Sequence, residues 1–113
     1  MINISQEDQS WVKDTLDRVI EKMEAVRQRT GEKIPAVAIN GTYDDRSDSS
    51  VKWDMDNGIN WWTNGFWGGI MWQLYHYTGD SRYMETARIS EEKMDKCFSL
   101  YYGLHHDVGF MWL

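Results

Sequence analysis

Three consecutive side chains carry the groups best suited to chemistry, namely His105, His106 and Asp107. Consecutive residues point in different directions, so we expect only one or two of them to meet a single ion, and we predict no bound metal. His106 or Asp107 is also placed to cap a following helix. A carboxylate held by helix amides stays ionised, which suits a site that stabilises developing positive charge.

Aromatic residues form a second informative group. The chain contains seven Trp, six Tyr and three Phe, several of them between Trp53 and Tyr83. An aromatic face accepts the apolar C–H face of a pyranose ring, so this clustering favours a carbohydrate site. Trp and Tyr at helical spacing are more often core residues, and composition alone leaves both interpretations open.

Three further motifs predict little chemistry. Gly65, Gly68 and Gly69 lack the spacing and the Lys-Ser/Thr ending of a phosphate loop, so we expect them to permit close helix packing. The acidic segment 54–58 has the wrong spacing for an EF-hand calcium loop. Asn40 begins a glycosylation sequon without a secretion signal, and we interpret this match as incidental.

An amphipathic helix and a long loop precede the aromatic cluster. Ser5 is expected to cap a helix that ends near Thr30, because Gly31 follows and Pro35 cannot continue the helical hydrogen bonds. From Gly31 to about Asn60 the apolar periodicity disappears and aspartates accumulate, which predicts a long acidic loop. Loops of this length are uncommon in compact domains unless they serve a site, so the loop is a functional hint.

Two more helices are predicted to form a hairpin. The apolar spacing indicates one helix over residues 64–78 that stops at Gly79. Asp80 or Ser81 is expected to cap the next helix, which continues until Gly103 breaks the pattern. Its charged residues at 91–93 are expected to be solvated. The tight turn between the two helices is typical of a helical hairpin.

Composition excludes several classes of partner. The 113 residues suit one small domain or part of one, and the net charge of −6 disfavours nucleic acid and anionic membranes as partners. Cys97 is the single cysteine, and no long apolar span is present, so a cytoplasmic protein is predicted. The apolar segment from Gly109 to Leu113 favours a truncated chain, because such residues seldom end a protein.

Two segments together resemble the unsaturated glucuronyl hydrolases of glycoside hydrolase family 88. They are Asn-Trp-Trp-Thr-Asn-Gly-Phe-Trp at 60–67, continuing to Tyr-Thr-Gly-Asp at 77–80, and Leu-His-His-Asp-Val-Gly-Phe at 104–110. The resemblance implies an all-α fold, the (α/α)6 six-hairpin toroid. Residues 1–113 would be the N-terminal part of this single catalytic domain. The unsaturated rhamnogalacturonyl hydrolases share the fold and part of the pattern, and they remain an alternative.

The resemblance also implies a reaction. Members of the family remove a 4,5-unsaturated uronic acid from the non-reducing end of lyase-generated oligosaccharides of the glycosaminoglycan type. An acid protonates the double bond, water adds to the resulting oxocarbenium-like carbon, and the hemiketal collapses to release the sugar. No cofactor is expected.

Individual roles follow from the matching motifs. Asp107 corresponds to an active-site aspartate that orients the sugar and supports positive charge, with His106 beside it as a substrate-binding residue. Trp62 corresponds to a tryptophan that stacks on the substrate, and we predict Trp61 and Trp67 as further candidates for sugar contact.

Two differences from the family pattern affect the predicted site. The family's principal general acid/base is a second aspartate, and no residue up to Leu113 matches its motif, so the catalytic site is expected to be incomplete in this chain. Asn64 stands where a relative carries Asp, which favours a structural turn or cap for this position over a direct role.

Two other functions fit the same residues. The chain would bind sugars without catalysis if Trp61, Trp62 and Trp67 served as platforms. Alternatively, exposed apolar helix faces would pair with another copy of the chain, because hairpins separated from a toroid leave such faces uncovered.

Overall fold

A computed structural model of the protein describes residues 3–54 and 57–112. These ranges contain four helices and one antiparallel pair of strands: α1 (Gln6–Thr30), β1 (Ala38–Ile39), β2 (Thr42–Tyr43), α2 (Asn64–Thr78), α3 (Ser81–Ser99) and α4 (Val108–Met111). Asp56 of the acidic loop and Leu113 of the apolar segment lie outside the described residues. The mainly helical fold confirms the predicted all-α class, and the toroid stays a prediction.

The predicted boundaries of α1 are confirmed. The Ser5 Oγ accepts a hydrogen bond from the backbone amide of Asp8 at 3.1 Å, which satisfies one of the free donors of the first turn. Gly31 ends the helix with a φ of 57°, and its amide donates to the carbonyl of Arg27 at 2.9 Å. A positive φ favours glycine at this position.

The α2–α3 hairpin also forms as predicted, although α3 ends early. Gly79 terminates α2 in the left-handed region, and the side chain of Asp80 caps α3. Hydrogen bonds from Arg82 lower the pKa of Asp80 to about 2, so the cap is ionised. The prediction that α3 continues to Gly103 is wrong, because Tyr101 adopts a φ of 52° and its neighbour at 102 donates to the carbonyl of residue 97, which closes the helix.

Two buried clusters hold these elements together. The first joins α1, α2 and α3, and its members are Val26, Trp67, Met71, Leu74, Tyr83 and Ala87. The second joins the start of the long loop to α3 and α4 through Ile34, Met94, Cys97 and Met111. Burying a large apolar side chain contributes about 1.5–3 kcal/mol, so each cluster stabilises the contact between the elements that it joins.

Only part of the apolar stripe of α1 is buried. Val26 lies in the core, whereas Trp11 is 67% exposed and Val12 and Val19 are also exposed. Glu24 links the buried end of α1 to the hairpin through an ion pair with Arg82 at 3.1 Å. The outer half of the stripe is therefore uncovered by the residues that the structure describes. Within the same residues, no helix is long and apolar enough to span a membrane.

The long loop contains a small hairpin that the sequence analysis missed. Ala38 pairs with Tyr43 and Ile39 with Thr42. Asn40 and Gly41 form the two-residue turn with φ values of 53° and 76°. Asn-Gly is a favoured pair in such turns, because both positions require a positive φ. The predicted long loop therefore includes a two-stranded hairpin that the sequence analysis did not predict.

Aspartates at the start of the loop hold its backbone. Asp44 Oδ1 accepts from the amides of Ala36 and Val37, both at 2.9 Å. Asp45 Oδ1 accepts from the amide of Ile34 at 3.1 Å. Burial raises the pKa of Asp45, but its hydrogen bonds outweigh burial and lower that pKa overall. These two carboxylates are consequently structural.

Asn64 fixes the turn that carries the paired tryptophans. Its side chain is fully buried, and Nδ2 donates to the carbonyls of Gly58 at 3.0 Å and Ile59 at 2.8 Å. A carboxylate at this position would face two carbonyl oxygens and lack the protons to bind them. The geometry agrees with a structural turn.

Gly65 lets α4 approach α2. A Cβ atom at this position would lie 2.7 Å from the Cα of Met111 and would overlap its carbonyl group. A Cβ on Gly68 would be in ordinary van der Waals contact with Ser90 on α3, whereas a Cβ on Gly69 would meet open space. The expectation that the glycines permit close packing therefore applies most strongly to Gly65.

Replacing Gly65 with Ala should separate α2 from α4. We expect Gly65→Ala to lower the free energy of unfolding by about 2 kcal/mol, because the added methyl group is forced against backbone. Gly69→Ala on the same helix is the control, and it should raise stability by about 0.5 to 1 kcal/mol. Urea unfolding followed by circular dichroism measures both, and equal stability of the two variants would contradict this contact.

Replacing Asn64 with Asp should destabilise the protein in a pH-dependent way. We expect Asn64→Asp to cost about 2 kcal/mol or more at neutral pH, because a buried carboxylate would face two carbonyls. Burial would raise the pKa of the new carboxyl above its unfolded value. Its ionisation penalty therefore shrinks as the pH falls through the raised pKa.

Unfolding by urea at several pH values tests this expectation. The exposed Asn3 provides a control, since Asn3→Asp should leave stability almost unchanged at every pH. A penalty for Asn64→Asp that does not vary with pH would count against a buried, ionised carboxylate.

Candidate active site

The loop between α3 and α4 orders the His-His-Asp segment. The backbone amide of Asp107 donates to His105 Nδ1 at 3.2 Å, and the amide of Val108 donates to the His105 carbonyl at 3.1 Å. Because Nδ1 accepts, the proton of the neutral imidazole lies on Nε2. Nε2 is buried and contacts no hydrogen-bond partner in residues 3–54 and 57–112. His105 therefore positions Asp107 and offers an unused donor.

The carboxylate of Asp107 does not form the helix cap that the sequence allowed. Asp107 directly precedes α4, but its side chain makes no capping hydrogen bond to the described first turn. Asp107 Oδ2 lies 3.5 Å from Nε2 of His106, and the two side chains are 33% and 90% exposed. The carboxylate is thus accessible, with a histidine as its neighbour.

The same three side chains are closer together than the sequence indicated. One ligand atom from each of His105, His106 and Asp107 lies within 4.8 Å of the others, a separation that fits a shared metal ion. The expectation that at most two of these side chains can reach one ion is therefore wrong, because their ligand atoms lie close enough for all three to do so. The absence of a bound metal stays a prediction, since short distances alone do not select a cation.

Trp62 links the aromatic turn to the His-His-Asp segment. Its ring makes edge contacts with Phe66, at 5.7 Å between centroids, and with Phe110, at 5.8 Å. Phe110 follows Asp107 by three residues, so these contacts hold the predicted stacking residue and the predicted carboxylate at the same end of α2. Trp61 lies beside Trp62 at 6.0 Å. Both rings are partly exposed.

Trp67 occupies a different position. Its side chain is only 6% exposed, and its ring packs 6.3 Å from that of Tyr43 in the first buried cluster. A ring in this position stabilises the core and offers little surface to a sugar. We therefore leave Trp67 out of the proposed sugar contacts.

An apolar cavity of about 790 Å³ lies between α2, α3 and α4. Phe66 and Phe110 contribute to its lining, as do Trp72 and Glu91. Trp72 Nε1 donates to Glu91 Oε1 at 2.5 Å. The prediction that Glu91 is solvated is thus wrong, because helical spacing alone did not show that α3 turns this carboxylate towards α2.

Two curated proteins are similar to this chain. The unsaturated glucuronyl hydrolase of Bacillus sp. (strain GL1) is 40% identical over 70 residues, which cover 58% of this chain and 18% of that protein. The unsaturated chondroitin disaccharide hydrolase of Streptococcus pyogenes serotype M1 is 36% identical over 52 residues, or 45% of this chain and 13% of the relative. The matches thus span less than a fifth of either relative.

No family model and no solved structure matches the chain. The two curated relatives nevertheless carry the names that the motifs around Trp62 and Asp107 indicate. The predicted resemblance is thereby confirmed, and this chain is related over about half of its length to hydrolases of the unsaturated glucuronyl type.

Proposed function

We propose that this chain supplies part of an active site that removes 4,5-unsaturated uronic acid from the non-reducing end of lyase-generated, glycosaminoglycan-type oligosaccharides. One observation carries the proposal: Phe110 holds Trp62 and the Asp107 segment at the same end of α2. The names of the two relatives support the same substrate class. The same names also favour this activity over that of the unsaturated rhamnogalacturonyl hydrolases.

Each exposed side chain has a distinct proposed role. The ring of Trp62 stacks on the apolar face of the sugar, and Trp61 extends this surface. Asp107 orients the sugar with its accessible carboxylate, and His106 donates to a hydroxyl or to the uronate. His105 is a positioning residue, because it accepts the backbone amide of Asp107.

The reaction is the hydration of a vinyl ether. A proton adds to C4 of the sugar, the positive charge spreads over C5 and the ring oxygen, and water then adds to C5. The resulting hemiketal opens, and C1 becomes a hemiacetal that releases the remaining sugar. The carboxylate of Asp107 stabilises the oxocarbenium-like transition state through its negative charge.

Additional helices complete this proposed site. The match covers 18% of the glucuronyl hydrolase relative, and the side chains grouped with Asp107 among the described residues are two histidines, His105 and His106. Trp11, Val12 and Val19 leave an apolar face on α1 uncovered. We therefore place residues 1–113 in the first hairpins of a toroidal domain whose general acid/base lies in another segment. A cytoplasmic location stays a prediction.

Ultraviolet absorbance of an unsaturated chondroitin disaccharide tests this function. We expect the product of the whole parent reading frame to remove the absorbance and the 113-residue chain to leave it unchanged. Asp107→Asn in the parent should lower kcat by about a hundredfold or more, because a carboxylate that stabilises the transition state is lost. Asp95→Asn, at an exposed position on α3, is the control and should retain activity.

The other outcomes separate the alternatives. Turnover by the 113-residue chain alone would contradict an incomplete site. Saturable disaccharide binding without turnover in either sample would favour a sugar-binding module. Concentration-dependent dimers in sedimentation, without sugar binding, would instead favour self-association through the apolar faces.

A further inference from the structure

We propose that a second cleft binds sulfate or carboxylate groups of a saccharide, away from the end that reacts. A cavity of about 710 Å³ lies between the acidic loop and the last turns of α3. Its lining includes Lys52, Trp53, Lys93, Lys96 and Tyr102. It does not include Trp62, His106 or Asp107, so the cleft is separate from the candidate active site.

The charge of the cleft opposes that of the whole chain. The protein has a net charge of −6, yet among the described residues four cationic side chains and two carboxylates line this cavity. The cationic residues are Arg46, Lys52, Lys93 and Lys96, and the carboxylates are Asp45 and Asp48. A concave surface with one sign of excess charge attracts ions of the opposite sign. The lining therefore favours an anion.

The two carboxylates are occupied by neighbouring groups. Asp45 Oδ1 accepts from the amides of Ile34 and Ser47. Asp48 Oδ1 accepts from the amide and the hydroxyl of Ser50, at 2.8 and 2.6 Å. These hydrogen bonds lower the pKa of each carboxyl. Both carboxylates thus already accept hydrogen bonds from neighbouring groups of the chain.

The four cationic groups differ in what they already bind. Arg46 pairs with Asp44 at 2.8 Å and lies 4.6 Å above the ring of Trp53, so it is fixed in the wall. Lys93 Nζ donates to the carbonyl of Glu32. Lys52 and Lys96 are exposed, and neither forms an ion pair within the described part of the chain. These two ammonium groups are the ones available to a ligand.

Tyr102 gives the cleft an aromatic platform. Its side chain is 56% exposed, and its ring packs against no other aromatic ring among the residues described. Trp53 is less accessible, because Arg46 covers one side and Gly58 lies close to the ring. An open aromatic face beside two free ammonium groups suits an acidic sugar better than a bare inorganic anion.

The cleft lies on the same connection as the candidate active site. Asp107 follows Tyr102 by five positions, a chain length that spans at most about 18 Å. Asn60 Nδ2 donates to the carbonyl of Gly103 at 3.4 Å and anchors this connection beside the tryptophan turn. The assignment of the reacting end rests on the proposed function, whereas binding of an anionic saccharide to the cleft does not.

Isothermal titration calorimetry with three saturated tetrasaccharides tests the cleft: sulfated chondroitin, the same compound after desulfation, and a neutral glucan. Saturated sugars contain no vinyl ether, so the result is independent of hydrolysis. We expect the 113-residue chain to bind the sulfated compound most tightly and the neutral one most weakly. Added salt should weaken the first interaction, because exposed charges are screened.

Variants identify the groups responsible. The double variant Lys52→Ala/Lys96→Ala should weaken binding of the sulfated sugar by about tenfold or more, because two charge-assisted contacts are lost. Tyr102→Ala should weaken binding of all three sugars. Lys22→Ala on the exposed surface of α1 is the matched control and should bind as the parent chain does.

The opposite results would overturn the proposal. Equal affinity for the sulfated and neutral sugars would contradict it, as would unchanged affinity in the double variant. So would a loss of affinity in Lys22→Ala as large as that in the double variant. Inorganic sulfate that competes as strongly as the tetrasaccharide would refute the platform role of Tyr102. All four positions are exposed, so circular dichroism should show the parent fold in each variant.

Discussion

The close contact between Gly65 on α2 and Met111 on α4 is the constraint on which the candidate site depends. A four-residue helix has almost no stability of its own, so α4 is held by what it packs against. Met111 is 4% exposed and joins the buried cluster that contains Met94 and Cys97. This packing carries Phe110 to Trp62, and it thereby sets the distance between the aromatic surface and the carboxylate.

Hydrogen bonds from polar side chains hold the segments between the helices. Asn64 ties the tryptophan turn to the carbonyls of residues 58 and 59, and Asp44 and Asp45 tie the long loop to the backbone near residue 35. Buried polar groups are costly unless they are hydrogen bonded, which explains why amides and carboxylates concentrate where the backbone leaves regular structure. Asp44 and Asp45 therefore organise the first part of the long loop.

The ends of the helices could be predicted from the sequence because local signals determine them. Ser5, Gly31 and Gly79 have side chains or backbone preferences that end or begin helices without help from distant residues, and their positions are confirmed. The Asn40-Gly41 turn was also a local signal, and it was overlooked because the pair was interpreted as part of a glycosylation motif.

Features that depend on packing between residues far apart in the sequence could not be predicted from local signals. The orientation of Glu91 towards Trp72 depends on how α3 packs against α2. The second cleft combines residues near positions 52, 96 and 102, and no spacing in the sequence brings them together. For the candidate site, the motifs indicated Trp62 and Asp107, but only the structure shows that Phe110 links them and that His105 holds the amide of Asp107.

A crystal structure of the full parent protein carrying Asp107→Asn, with an unsaturated disaccharide bound, would test the central claim most directly. We expect the unsaturated ring to stack on Trp62, with a sugar oxygen within about 3 Å of the side chain at position 107. A disaccharide bound elsewhere, with the face of Trp62 unoccupied, would contradict the claim that these two residues share one site.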